Sequence, residues 1–328
     1  MNILFHYYIV HFLAEQSGFS QEEARTIAWS SQFVDANILS FTVHAEGREY
    51  RTIPTQNYGF WNDYFPENVY LPFHFVPGDP DIAAAKRKDR LSDPSSCTPG
   101  SPRARELFID ALKTRNPYRI GIGAHAYADS WAHQNFSGYR KPVNICDDGS
   151  LIPPIGHAQI LKTPDMYGIE WEDSRLLPEV DRIDNSSRYL AAAKMVYKFF
   201  CTHNRKSFED VETVLMELEL LLDRISGEKV PQEELITDFQ ITYGMEPFSL
   251  RESLDLAVHL ENAPLKEEYF NGYSKYLWFK DTFLYKTRVL TPKPVKGKQG
   301  FFSTPFFAWM EAAKEHLSSA KGLLKDLI

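Results

Sequence analysis

The amino-acid sequence predicts an all-α fold, and three observations carry that reading. Gly121 to Asn135 runs without a proline and is rich in small residues (Gly121, Gly123, Ala124, Ala126, Ala128, Ala132), which reads as a helix that others approach closely. Helix-start signatures recur: Ser20-Gln-Glu-Glu23 has the capping-box pattern, and Ser101-Pro102 places proline at a first helical position. From Asn185 onward the spacing is helical over about 186–203, 207–226, 231–240, 248–262 and 303–325.

Met1 to Ala14 is apolar but has no basic flank and no small-x-small cleavage site, so it reads as a first helix over residues 2 to 17, not as a signal peptide. The capping box starts a second helix, about 21 to 36. Asp35 lies in its last turn, where the partial negative charge of the helix end disfavours an acid. It is either a solvated end-of-helix acid or, beside Gln32 and Asn37, a side chain with another task. Residues 38 to 100 read as irregular, with a short hairpin at Thr42, Val43, Tyr50 and Thr52. Tyr58 to Phe75 is dense in aromatics and prolines, and His74 stands in a part too proline-rich for a helix. A long structureless loop is usually functional or disordered, and the aromatics favour function. Residues 79 to 100 are polar and read as a mobile excursion.

The helix after Ser101 runs to about Thr114 and the His125 helix follows. The chain then loops past Pro142, Asp147 and Pro153-Pro154 to Gly156-His157-Ala158 and Pro164-Asp165. Ser207 is a helix cap and the leucines of Val214 to Leu222 read as core. Lys286, Arg288, Lys293, Lys296 and Lys298 alternate with proline and glycine and read as a solvated loop, with phosphate contact as the alternative. No repeat or linker divides the chain, so residues 1–328 are expected to form a single helical domain.

Composition narrows the function. Of 328 residues, 43% are hydrophobic and 14% aromatic, enough for a sizeable core or an aromatic-lined cleft. The net charge of −8 argues against a surface that coats nucleic acid. Cys97, Cys146 and Cys201 are far apart, which excludes a CxxC zinc site and fits a reducing cytoplasm. No apolar run reaches membrane-spanning length.

The candidate chemistry centres on His125, Asp129 and His133. At 100° per residue, positions i, i+4 and i+8 fall within roughly an 80° arc, so the three share a face. They also climb about 12 Å, too far for one ion with bonds of roughly 2.0–2.1 Å to hold both histidines. A metal helix of this kind serves two ions, with Asp129 able to bridge. The alternative is a hydrogen-bonded His–Asp–His stripe in the core. Seven of the ten histidines precede residue 160. His203, His259 and His316 lack acidic partners in sequence and read as structural, His44 has no supporting context, and His11 reads as core or surface.

The remaining set has an order: Phe5-His6-Tyr7-Tyr8, Ser31-Gln-Phe-Val-Asp35, His74 in an aromatic segment, Ala124-His125 through Asp129 to His133-Gln-Asn-Phe136, and Gly156-His157 with Pro164-Asp165. Over about residues 3 to 200 this resembles the zinc-dependent phospholipase C / P1 nuclease superfamily, and still more an uncharacterised bacterial family related to it. The resemblance implies an all-α phospholipase C/P1 nuclease-like fold with a metal cluster that cleaves phosphate esters. It implies one site from Asp35, His74, His125 and Asp129, a second from His133, His157 and Asp165, and a third from His6 with Asp129 bridging. The later helices, about 201–328, lie outside it.

Three features depart from that superfamily. The interval from Asp129 to His133 is only four positions; Leu161 stands where a glutamate follows the second histidine by one turn; and the secreted enzymes use a processed N-terminal residue as a ligand, whereas Met1 is expected to be retained here. Nitrogen and oxygen donors without thiolate suit zinc, two or three ions, with iron or manganese as alternatives. The expected function is a metal-dependent hydrolase of a small-molecule or lipid phosphate ester, with Asp35 as ligand and general base. The competing expectation is a metal-binding or ligand-binding protein without turnover.

Overall fold

The computed structural model describes residues 1–38, 40–57, 64–222, 231–260 and 294–327. A wide, π-helical turn, Leu4–Ile9, runs into α1 (Val10–Gln16), and α2 (Gln21–Ala36) follows. A hairpin of β1 (Thr42–Ala45) and β2 (Arg48–Arg51) comes next. A second wide turn, Pro66–Tyr70, leads into α3 (Leu71–Phe73), then α4 (Pro80–Ala85), α5 (Pro102–Lys113) and α6 (Pro117–Ala132). The strands β3 (Glu170–Glu172) and β4 (Arg182–Asp184) precede α7 (Asn185–Asn204). The chain continues through α8 (Val211–Leu222), α9 (Gln232–Tyr243), α10 (Leu250–Asp255), β5 (Pro294–Lys296) and α11 (Pro305–Leu323). The fold is predominantly helical. No described helix is long and apolar enough to cross a membrane.

Helix α6 is the axis of the structure: α2, α5, α7 and α11 all pack on it, and every residue from Arg119 to Ala132 is buried. Its glycines permit this. A Cβ on Gly121 would stand 2.3 Å from Ile27 O, and one on Gly123 would stand 2.6 Å from Ala111 Cβ. Proline at its first helical position gives up no intrahelical bond, and the Asn116 side chain caps the Tyr118 N–H. Ser20 and Glu23 form the reciprocal capping box that starts α2.

Two apolar clusters meet at α6. One gathers Phe5, Phe12, Ile27, Phe108, Ala124, Val196, Phe200 and Leu218. The other gathers Phe33, Phe41, Phe65, Phe73, Ile122, Phe306 and Trp309. Each fully buried side chain of this size contributes roughly 1.5–3 kcal/mol before entropy is counted. Polar ties fix the C-terminal helix to the rest: Trp309 Nε1 donates to Ser30 O at 3.1 Å, and His316 Nε2 donates to Pro72 O at 2.9 Å. His316 Nδ1 then accepts from Arg119, so this histidine is structural.

Several expectations from sequence need correcting. The prolines around His74 do not exclude helix: residues 64–73 are helical, and the run widens before Pro72, the Leu71 N–H reaching back five residues to Pro66 O. Residues 79 to 100 are not a mobile excursion: Arg87, Ser95, Ser96, Cys97 and Thr98 are buried, and Arg87 is held by Asp89 and by Val143 O at 2.9 Å. Helix α8 starts at Val211, and Ser207 instead accepts from the Glu209 N–H in the preceding turn.

The strands qualify the all-α expectation. β1 pairs with β2 in the antiparallel register Thr42↔Arg51, and with β5 in the parallel register Thr42↔Pro294. The Glu46-Gly47 turn has positive φ at both residues (53° and 73°), which matches strand twist. Lys296 therefore lies in a strand and Lys298 pairs with Asp255, not in a free basic loop. Lys286, Arg288 and Lys293 lie outside the described residues, as do residues 223–226 and 261–262 of the expected helices and residues 58–63 of the aromatic segment.

Candidate metal centre

The side chains of interest arrive from six separate places. His6 sits in the widened first turn, where the Val10 N–H reaches back five residues to Phe5 O. Such turns rotate side chains off the regular helical face and cluster at functional sites. Asp35 is on the last turn of α2. His74 terminates α3, with the Phe75 N–H again bonded five residues back, to Tyr70 O at 2.7 Å. His125 and Asp129 lie on α6, and His133 immediately follows it with its N–H on Asp129 O at 2.9 Å. His157 and Asp165 come from short turns. Gly156 is required before His157: its φ is +50°, and a Cβ there would stand 2.5 Å from Phe75 Cζ.

These residues form three groups, in each of which the ligand atoms lie within 4.8 Å of one another: His6–His125–Asp129, Asp35–His74–His125, and His133–His157–Asp165. His125 is common to the first two, and Asp129 faces the histidines of both. Its Oδ1 faces His6 Nε2 at 3.1 Å and its Oδ2 faces His74 Nδ1 at 3.1 Å and His125 Nε2 at 3.3 Å. His125 Nε2 and His74 Nδ1 are 3.2 Å apart, and each is 3.8 Å from Asp35 Oδ1. Four donors on a tetrahedral ion with bonds of about 2.0–2.1 Å lie about 3.3–3.4 Å apart; the spacings among His74, His125 and Asp129 are close to that and those to Asp35 are longer. In the third group Asp165 Oδ1 faces His133 Nε2 at 3.1 Å and Oδ2 faces His157 Nε2 at 3.3 Å.

Proton placement sharpens the chemistry. His74 Nε2 donates to Thr55 O at 2.9 Å, His133 Nδ1 to His74 O at 2.7 Å, and His157 Nδ1 to Leu161 O at 2.6 Å. A backbone carbonyl only accepts, so each of those nitrogens carries the hydrogen. The opposite nitrogen of each ring faces a carboxylate oxygen at 3.1–3.3 Å. Such a pair is joined by a proton when the ring is cationic and by a metal ion when the ring is neutral. Carbonyl-braced histidines are also the usual support of a metal ligand. His6 and His125 differ: their Nδ1 atoms are buried with no partner.

The carboxylates stay ionised. Burial pushes the Asp129 carboxyl up, but the Met1 ammonium, His133, His125 and His6 outweigh it and hold it well below the usual range. Asp165 is lowered in the same way, burial being overcome by His157, the Met1 ammonium and His133. Burial holds His6 and His125 down to about 4, against the pull of Asp129. His74 is raised, because Asp129 and Asp35 outweigh its burial. The Met1 ammonium contacts Asp129 and lies 3.2 Å from Asp165 Oδ1; burial opposes its charge, yet these acids raise it to about 10.

All eight side chains singled out in the sequence thus lie in this one region, and Met1 and Phe75 join them. The Met1 amino group carries no side-chain signature. Phe75 stacks on His133, with centroids 4.4 Å apart, while Phe65, Tyr70 and Phe73 of the aromatic wall expected from Tyr58 to Phe75 lie in the second apolar cluster. The other histidines stay outside: His11 is near Glu15, His44 near Glu49, and His203 stacks on Phe19.

Comparison with curated proteins and with solved structures finds no match for this chain. A family model does match it, over residues 1–323, and on that match the chain belongs to DUF6765, a family of unknown function.

Proposed function

We propose that this chain is a metal-dependent hydrolase of phosphate esters. The ligands would be His6, Asp35, His74, His125, Asp129, His133, His157 and Asp165, holding two or three ions, zinc in preference to iron or manganese. The observation that carries the reading is the set of braced imidazoles whose second nitrogens converge on ionised carboxylates at 3.1–3.3 Å. The order of these residues along the chain, and its resemblance to the phospholipase C / P1 nuclease superfamily, supports the phosphate-ester substrate and a related fold. Ions bound there would make a water nucleophilic at neutral pH and clamp the entering and leaving oxygens.

The chain's own contribution differs by residue. Asp129 presents one oxygen to each of two groups and holds them in register. Asp35 is the most open of the acids, with 24% of its side chain exposed, and is placed to accept a proton from an attacking water. His157 and Asp165 are also partly exposed, at 17% and 16%. Leu161, where the superfamily carries a glutamate, favours the alternative of a protein that holds metal without turnover. The test is metal analysis of protein purified without chelating resin, followed by phosphodiester and phosphomonoester substrates with added Zn²⁺ or Mn²⁺. At least two equivalents of metal and a hydrolysis abolished by Asp35→Asn are expected. Less than half an equivalent of any transition metal would sink the proposal; full metal with no turnover on any substrate would leave the binding protein.

A further inference from the structure

We infer that one buried face of α7, Asn185, Arg188 and Tyr189, is a positioning clamp for the His133–His157–Asp165 group. The inference rests on the metal-centre reading above. The three residues stand at i, i+3 and i+4 and so share a face. They are 0%, 8% and 1% exposed. Polar side chains on an inward face are costly unless each hydrogen bond is made, and here the bonds go to a particular place.

Asn185 Nδ2 donates to Thr163 O at 2.7 Å and to Met166 O at 2.9 Å, while its Oδ1 accepts from Trp171 Nε1 at 3.1 Å. The Tyr189 hydroxyl lies 2.5 Å from Asp165 O and 2.9 Å from Asn2 Oδ1. Arg188 Nη1 donates to Ala132 O at 3.2 Å. The carbonyls held are those of Asp165 itself, of residues two before and one after it, and of the residue before His133. The cap of α7 is supplied separately, by Asp184 on the N–H groups of Ser186 and Ser187, so Asn185 is not needed for it.

The need for such a clamp follows from where Asp165 sits. It closes a three-residue 3₁₀ turn, Thr163–Asp165, and no longer helix carries it. A surface turn is mobile by default, whereas a ligating oxygen must be held within about 0.5 Å. The α7 face supplies the rigidity that a helix gives to Asp129. Asn185, Arg188 and Tyr189 are thus positioning residues that act through the backbone.

The experiment is a zinc titration against a competing chelator, comparing wild type, Tyr189→Phe and Asn185→Asp. Asp165→Asn identifies which class of site is the Asp165 group. Removing support behind a metal ligand typically costs about 10–100-fold in affinity. Tyr189→Phe is expected to lie near tenfold and Asn185→Asp, which keeps the acceptor for Trp171 but loses one donor arm or both, above it. The loss should fall on the Asp165 class alone, with the other class at wild-type affinity. Unchanged affinity in both classes, or equal weakening of both in step with a fall in thermal stability, overturns the clamp. Tyr189→Phe removes a single oxygen and decides the matter alone should Asn185→Asp not fold. Wild-type protein that binds no zinc overturns the metal-centre reading and the clamp together; wild-type protein that binds zinc with both variants unaffected overturns only the clamp.

Discussion

The two ends of the candidate centre are built differently. Around Asp129 the side chains come from helices or from the turn that ends one, and His6, His74, His125 and Asp129 are at most 3% exposed. Around Asp165 two of the three side chains come from short turns and stand partly open. The first end is positioned by the fold's own axis, α6; the second is positioned by hydrogen bonds to carbonyls. The comparison teaches that helix geometry fixes a ligand without further help, while a ligand on a turn needs its backbone held from outside.

The largest effect should come from Asp129. Replacing it with Ala removes the closer of the two carboxylates that face the buried Met1 ammonium, and breaking a buried ion pair costs about 3–5 kcal/mol. Chemical denaturation should show this loss, and elemental analysis a loss of metal from the two groups whose histidines the carboxylate faces; a stability change under 1 kcal/mol would contradict that role. His157→Ala should be milder. It should remove one metal equivalent and spare the others, measured by elemental analysis. Loss of every equivalent would mean that the two ends are one unit.

Gly156→Ala comes next. A residue other than glycine at φ +50° is strained by about 1–2 kcal/mol, and the new Cβ presses on Phe75, which stacks on His133. A lower melting temperature and weaker binding at the Asp165 end are expected; wild-type values in both would contradict the contact.

The smallest effect is a pH dependence in metal-free protein. His6 and His125 are held down to about 4 in the fold by burial, whereas the unfolded chain protonates near 6.5. Unfolding then takes up protons, so stability is complete above about 6.5 and falls as pH falls toward 4. His74, raised in the fold, contributes in the opposite sense, below 6.5 and fading as pH rises. Urea midpoints should therefore pass through a maximum near pH 6.5; a steady rise down to pH 4 would contradict the buried neutral histidines.

The same contrast explains what could be read from the chain. The α6 stripe is legible because helical spacing is periodic, and Asp35 because an acid at a helix end is locally unfavourable. The 12 Å climb from His125 to His133 correctly separates them into different groups. The widened turns at His6 and His74 leave no period to detect. Nothing in the residues between 150 and 166 sets Asp165 beside His133; that pairing came from resemblance, and the bonds that hold it lie twenty residues on, in α7. The parallel pairing of β5 with β1 was hidden because Pro-Val-Lys has too few residues for strand alternation.

Anomalous diffraction from a crystal grown with zinc tests the central claim most directly. One peak is expected among Asp35, His74, His125 and Asp129, and a second among His133, His157 and Asp165. A zinc-loaded crystal with no peak at either position would contradict the account.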